Sequence, residues 1–198
     1  MPSDVHDVTV EALAIALDCV STPTFLLRSD GQIVHVNTAG HVLLHGSRAL
    51  RMIRSRLTAR RVGEAKALAA VVQRVAESQT PELLRLLSRN GNVSLLMTLT
   101  PVPSDRLVTV CIADLHVRET GLTGWIEEGF ALSPQNAELA ESLMSGANLA
   151  EFSSDKGVTL GAARTRLKKL FARTGTRSQA ALVSALLRAA IIAPRRRP

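Results

Sequence analysis

Between Ser133 and Pro194 the chain carries a dense run of helix start and stop signals, and these constrain its fold more than any other feature. Ser133 stands where an N-cap is needed, Pro134 takes the first helical position, and Gly146 closes the segment SPQNAELAESLMSG. A shorter segment, NLAEFSSDKG, stops at Gly157. Thr159 opens a third helix that Gly175 ends, and Ser178 opens a fourth, QAALVSALLRAAI, which must stop before Pro194. Leu139, Ala140 and Leu143 share one face of the first of these helices. Four short helices joined by tight turns predict an all-α unit of about 60 residues.

The third of these helices, TLGAARTRLKKLFARTG, holds five cationic residues and no acidic one. At 100° per residue Ala163, Leu167, Leu170, Phe171 and Thr174 fall on one side and predict the core face. Thr165 and Lys168 fall opposite, Gly161 and Ala172 lie between them, and Arg164 and Lys169 take the edges. Small residues alternating with long cations let a helix approach a surface closely, and a DNA major groove about 12 Å wide accepts such a helix.

Charge supports this reading. From Leu132 onward there are eleven Lys and Arg against four Asp and Glu, whereas the preceding residues hold thirteen of each. The whole net charge of +7 therefore belongs to the last third of the chain. That asymmetry implies an anionic partner, with DNA, RNA and anionic lipid as the candidates. Lipid is disfavoured because these helices need their apolar faces for one another.

Upstream the pattern changes to strands and turns. TFLLR (24–28), the turn SDG and QIVHV (32–36) predict a hairpin, and Asn37 is placed to cap a short helix, TAGHVLLHG. The segment ALRMIRSRLTARR reads as helical, and a long helix follows from Gly63 to Ser78. LLRLLS, the Asn90-Gly91 turn and NVSLLMTLTPV predict a second hairpin, and RLVTVCIADL a last strand. The order predicts an α+β domain, an antiparallel sheet with helices on one face. Strand alternation ends near His116, so residues 116–131 read as a linker, partly helical around the lone Trp125.

The run TPTFLLRSDGQIVHVNTAGHVLL resembles the opening of a PAS sensory domain, and the later hairpin and last strand suit the same plan. The likeness implies a PAS-like sensor domain over residues 10–115 with an unidentified small-molecule or protein ligand. No cofactor signature accompanies it: Cys19 and Cys111 lie in unrelated contexts, so neither a flavin nor any other cofactor is expected.

From Leu132 to about Val183 the chain resembles the LuxR-type helix-turn-helix without a gap. The matching residues are Leu132-Ser133-Pro134, Glu138, Gly146, Glu151, Gly157-Val158-Thr159, Arg164-Thr165, Leu167-Lys168, Phe171, Gly175, Arg177-Ser178, Ala180, Leu182 and Val183. The resemblance implies a domain over residues 132–193, followed by a basic tail, 194–198. It makes the third helix, about 160–173, the recognition helix, with Arg164, Thr165 and Lys168 reading bases. Thr159, Lys169, Arg173 and Arg177 would contact phosphates, and Leu182, Val183, Leu186 and Leu187 would pair two subunits in a homodimer. The chain departs from the pattern at Asn136, where a capping-box Glu is usual, and at Leu149-Ala150, which replace a polar pair. Lys156 and Thr174 stand at positions that are ordinarily apolar core.

Other functions find less support. The i,i+4 pair His41 and His45 lacks an acidic third ligand, so surface or half-buried histidines are expected rather than a metal or haem site. Arg48, Arg51, Arg54, Arg56, Arg60 and Arg61 read as a solvated face or a contact to the acidic linker, ahead of a second nucleic-acid patch. The two cysteines have neither disulfide-framework nor zinc spacing. No nucleophile–base–acid grouping and no Gly-rich phosphate loop suggests an enzyme. A phosphoreceiver domain would need an acidic pocket and a late lysine, but Lys66 is the only lysine before the linker. An acyl-lactone-binding domain would bring several Trp and Tyr; this chain has no Tyr and one Trp. No apolar run approaches the roughly 18 residues of a membrane span, so a cytoplasmic protein is expected. Together the two resemblances imply a bacterial DNA-binding transcription regulator controlled by a PAS-like sensor. The alternative is a PAS-type interaction module with a decayed helix-turn-helix, acting through protein partners rather than specific DNA.

Overall fold

The structure, a computed structural model, describes residues 15–88, 90–103, 106–115, 122–191 and 193. They form two compact units, one within residues 15–115 and one within residues 122–193.

The first unit begins with β1 (Thr24–Arg28) and β2 (Ile33–Val36), joined by a turn in which Gly31 takes φ +83°. Asp30 secures that turn by accepting from the Gln32 N–H at 3.0 Å. Helix α1 (Thr38–Gly46) follows, capped by Asn37 as the sequence leads one to expect: its Oδ1 accepts from Gly40 N at 2.9 Å. After the strands β3 (Leu50–Ile53) and β4 (Arg56–Ala59) come α2 (Val62–Ser78) and the three strands β5 (Glu82–Leu87), β6 (Val93–Val102) and β7 (Leu107–Asp114). Five strands make one antiparallel sheet in the order β2-β1-β7-β6-β5, so the chain's first and last strands meet at its centre. This is the antiparallel sheet with helices that the order of signals in the sequence predicts.

Alternation builds the core. Phe25 and Leu27 of β1, Leu95, Met97 and Leu99 of β6, and Val108, Val110 and Ile112 of β7 all point to one face. Leu68, Val71, Val72, Val75 and Ala76 of α2, at helical spacing, belong to the same buried cluster.

The segment ALRMIRSRLTARR is not helical. It forms the β3–β4 hairpin, with Leu50 opposite Ala59 and Ile53 opposite Arg56. Leu50, Ile53 and Leu57 recur at helix-like intervals, which explains the expectation, but long-range bonding overrides it. Leu57 N donates to Gly31 O at 3.1 Å and Ile33 N to Ser55 O at 2.7 Å, tying β4 to the start of β2. The two-residue turn holds Arg54 and Ser55 at φ 48° and 59°. Both left-handed positions suit a hairpin turn, but they lack the Asn-Gly that would have announced it.

The second unit is all-α. It comprises α3 (Thr123–Gly129), α4 (Pro134–Met144), α5 (Leu149–Lys156), α6 (Leu160–Thr174) and α7 (Gln179–Ala190). The last four helices lie where their punctuation places them, three of them with a side-chain N-cap bond, from Asn148, Thr159 and Ser178. The expected linker 116–131 is corrected in its second half, because residues 122–131 belong to this unit. Ile126 is fully buried in the core cluster that also holds Leu139, Leu143, Leu182 and Leu186, and Trp125 meets Phe130 edge to face at 6.5 Å. Glu141 of α4 accepts from Leu122 N at 2.9 Å and from the Thr123 hydroxyl, fastening the start of α3. The first half of that linker, like the expected basic tail 194–198, lies outside the described residues.

Candidate nucleic-acid interface

Helix α6 is held from behind by α4, α5 and α7. Ala163 and Leu170 are fully buried, and Leu167, Phe171 and Thr174 are half-buried on the same side, as the helical wheel predicts. Its ends are sharply defined. The Thr159 hydroxyl accepts from Ala162 N at 3.2 Å, and Gly175, at φ 67°, returns its N–H to Phe171 O. The preceding turn is equally tight: Gly157 takes φ 62°, and Val158 N donates to Ser153 O at 3.0 Å.

All three expected base-reading residues, Arg164, Thr165 and Lys168, are exposed on the opposite face. Thr159, Lys169 and Arg173 are exposed on the same helix or its cap, and Arg177 is exposed just before α7. Among the described residues none of the cations in this set forms an ion pair. No acidic residue stands in the first turn of α6 to occupy its free N–H groups. The Thr165 hydroxyl donates to Gly161 O at 3.0 Å, so this side chain folds back onto its own helix and keeps the middle of the face low. An added methyl at Gly161 would meet only Thr159 Oγ1, at 3.9 Å, so packing within the unit does not require glycine there.

Arg166 differs from its neighbours. It is half-buried, and its guanidinium lies 6.0 Å from the Phe152 ring centroid, a cation–π contact that joins α6 to α5. The charge pattern gave Arg166 no role; only the position of Phe152 does.

The departures from the resembled pattern have local solutions. Lys156 is exposed, so no charge enters the core. The Thr174 hydroxyl donates to Leu170 O at 2.8 Å and lies 2.9 Å from the Thr176 hydroxyl, so it is satisfied where it sits. Asn136 is buried in α4, and the Ser133 side chain makes no cap bond. A capping box does occur one helix later: Asn148 accepts from Glu151 N while Glu151 accepts from Asn148 N, both at 2.9 Å. The spacing Asn148–Glu151 was its sequence signal.

The expected pairing residues of α7 require a correction. Leu182 and Leu186 are fully buried in the unit's own core and cannot face a second subunit. Val183 is half-buried, and the outward apolar surface is Leu187, 40% exposed, with Ile191, 66% exposed, one turn beyond. In the first unit His45 Nδ1 lies 2.8 Å from His41 O, so one ring nitrogen of the pair is engaged within α1. Among the described residues no group of three metal-ligating side chains occurs, and no helix is long and apolar enough to cross a membrane.

No family model matches the chain, and no curated protein matches it in sequence. Among solved structures the chain is similar to a phage VqmA–DPO complex at 14% identity, covering 92% of this chain and 90% of that one, with a TM-score of 0.41. A second similarity is to the Vibrio cholerae VqmA dimer, described as a LuxR-type receptor without its target DNA, at 14% identity, 93% and 89% coverage and a TM-score of 0.38. A third is to the PAS domain of nitrogen regulation protein NR(II) from Vibrio parahaemolyticus, at 16% identity, 55% and 100% coverage and a TM-score of 0.34.

Proposed function

We propose that this chain is a DNA-binding transcription regulator in which α6 enters the major groove and the PAS-like unit acts as the sensor. One observation carries the reading: the outward face of α6 alternates small residues with Arg164, Lys168, Lys169 and Arg173, and none of these cations has an acidic partner among the described residues. Unpaired cations on a rigid, firmly backed helix suit phosphates and base edges. The role is that of a binding protein rather than an enzyme, and it agrees with the LuxR-type resemblance of residues 132–183. A decayed helix-turn-helix loses its main motive, since Lys156 is solvated and Thr174 is hydrogen-bonded. Two subunits would pair through Leu187 and Ile191, reading an inverted repeat with half-sites about one helical turn apart. Ligand binding to the sensor would shift an equilibrium that favours or releases this pairing.

The test is affinity against salt for alanine variants on operator and on random DNA. Arg164→Ala and Lys168→Ala should each cost about 1–3 kcal/mol on the operator and little on random DNA. Arg173→Ala should weaken both alike and lower the salt slope by about 0.9. Equal losses on both DNAs for Arg164→Ala would show that α6 does not read sequence.

A further inference from the structure

The β3–β4 hairpin of the first unit is a second cationic surface. Between Asp30 and Glu64 the chain has six arginines and no acidic residue. The structure divides these six. Arg56 pairs with Asp30 at 2.7 Å, Arg61 lies 3.8 Å from Glu64, and Arg60 donates from Nε to Ser47 O at 3.3 Å. Arg48, Arg51 and Arg54 are exposed and have no acidic partner among the described residues. Arg54 sits at the tip of the turn in a left-handed conformation that glycine or asparagine would adopt more readily. Beside these arginines Met52 and Ile53 are 55% and 43% exposed.

Alternation puts Arg51 and Ile53 on one face of the ribbon, with Arg54 at its tip and Met52 on the face of Leu50 and Leu57. Free arginines beside an exposed Ile match what a DNA groove accepts. Arginine takes the phosphates or the groove floor, and a small apolar wedge rests against sugars or a base step. Three free arginines alone would hold duplex DNA weakly. A duplex already bound by another part of the same chain is present at a high effective concentration, so a weak contact becomes populated. This favours DNA over an independent acidic protein or a lipid surface.

We propose that the β3–β4 hairpin contacts duplex DNA through Arg51 and Arg54, with Ile53 against the groove, as an auxiliary site to α6. The inference rests on the reading of the chain as DNA-binding.

The experiment measures the salt dependence of the full chain on a mixed-sequence duplex several helical turns long. The variants are Arg51→Gln/Arg54→Gln, Ile53→Ser and, separately, Arg164→Ala/Lys168→Ala. Two lost phosphate contacts should lower the slope by about 1.8, making the double arginine variant's deficit roughly tenfold larger at about 50 mM than at about 200 mM salt. Ile53→Ser should weaken binding with the slope unchanged. All these side chains are exposed, so thermal midpoints should stay put, and a large drop would mean that the hairpin serves stability instead. A wild-type slope for Arg51→Gln/Arg54→Gln, with the α6 variant still lowering it, would overturn this inference alone. Absence of any duplex binding by the wild-type chain would overturn the proposed function and this inference with it. Hairpin-dependent binding to phosphatidylglycerol vesicles, with the DNA slope unaltered, would assign the surface to lipid and also overturn the inference.

Discussion

Replacing Asn37 tests the first unit at a single side chain. Asn37 is fully buried, and both ends of its amide are in use. Its Oδ1 accepts from Thr24 N and Gly40 N, each at 2.9 Å, joining β1 to the first turn of α1. Its Nδ2 lies within bonding distance of three carbonyls, Leu17 O at 3.2 Å, Val20 O at 3.1 Å and Thr22 O at 2.9 Å. Asn37→Ala therefore deprives two N–H groups and three carbonyls of one partner. At about 1 kcal/mol net per bond the ceiling is about 4 kcal/mol, because the two amide N–H donors serve at most two of the three carbonyls at a time, and water reaching the partly exposed carbonyls brings the loss to about 3 kcal/mol. For a domain of this size that is a fall in midpoint of at least about 12 °C. The chain's one tryptophan, Trp125, lies in the second unit, so its fluorescence follows that unit while circular dichroism also follows the sheet. The dichroism transition assigned to the first unit should move and the Trp125 transition should not. Asn37→Asp keeps the acceptor for both N–H groups but turns a carboxylate oxygen toward three carbonyls. It should cost at least as much at neutral pH and recover in part on acidification, when the carboxyl can donate. A fall below about 4 °C for Asn37→Ala, equivalent to less than about 1 kcal/mol, would refute the reasoning.

Gly40→Ala should destabilise the first unit by about 1–3 kcal/mol in denaturant titration, because the new methyl would lie 2.5 Å from Val36 Cγ2 and 3.1 Å from the Phe25 ring. Gly63→Ala, with nothing within 4 Å, should instead stabilise α2 by up to about 1 kcal/mol. Leu187→Asp and Ile191→Asp should turn a dimer on DNA into a monomer in sedimentation while leaving the Trp125 unfolding transition in place, whereas Leu186→Asp should unfold the second unit. The Arg74 guanidinium, bonded to Glu82 at 2.6 and 2.7 Å, holds the Glu82 carboxyl below its usual range. Its stabilising effect should be present above the ordinary carboxylate pKa and fade as pH falls through the lowered one, so the small midpoint difference between wild type and Glu82→Gln should close on acidification.

Much of the fold was legible because its signals are local. Asn37 ahead of α1, the glycines at 31 and 91 in their turns, and Thr159, Gly175 and Ser178 around α6 and α7 act on backbone groups within a few residues. The exposed face of α6 was legible for the same reason, since a regular helix places Arg164, Thr165 and Lys168 on one side whatever surrounds it.

What only the tertiary structure decided depends on groups distant in sequence. Leu50, Ile53 and Leu57 suit a helix by spacing, and they became a ribbon because Gly31 and Ile33 offered backbone partners to β4. Residues 122–131 look like a connector until Glu141 fastens Leu122 and Thr123 and the core admits Ile126. Leu182, Val183, Leu186 and Leu187 are equivalent as a pattern, yet Leu182 and Leu186 are enclosed and Leu187 is not. Periodicity names the residues able to be buried; which of them are buried depends on how many neighbours other helices bring to each.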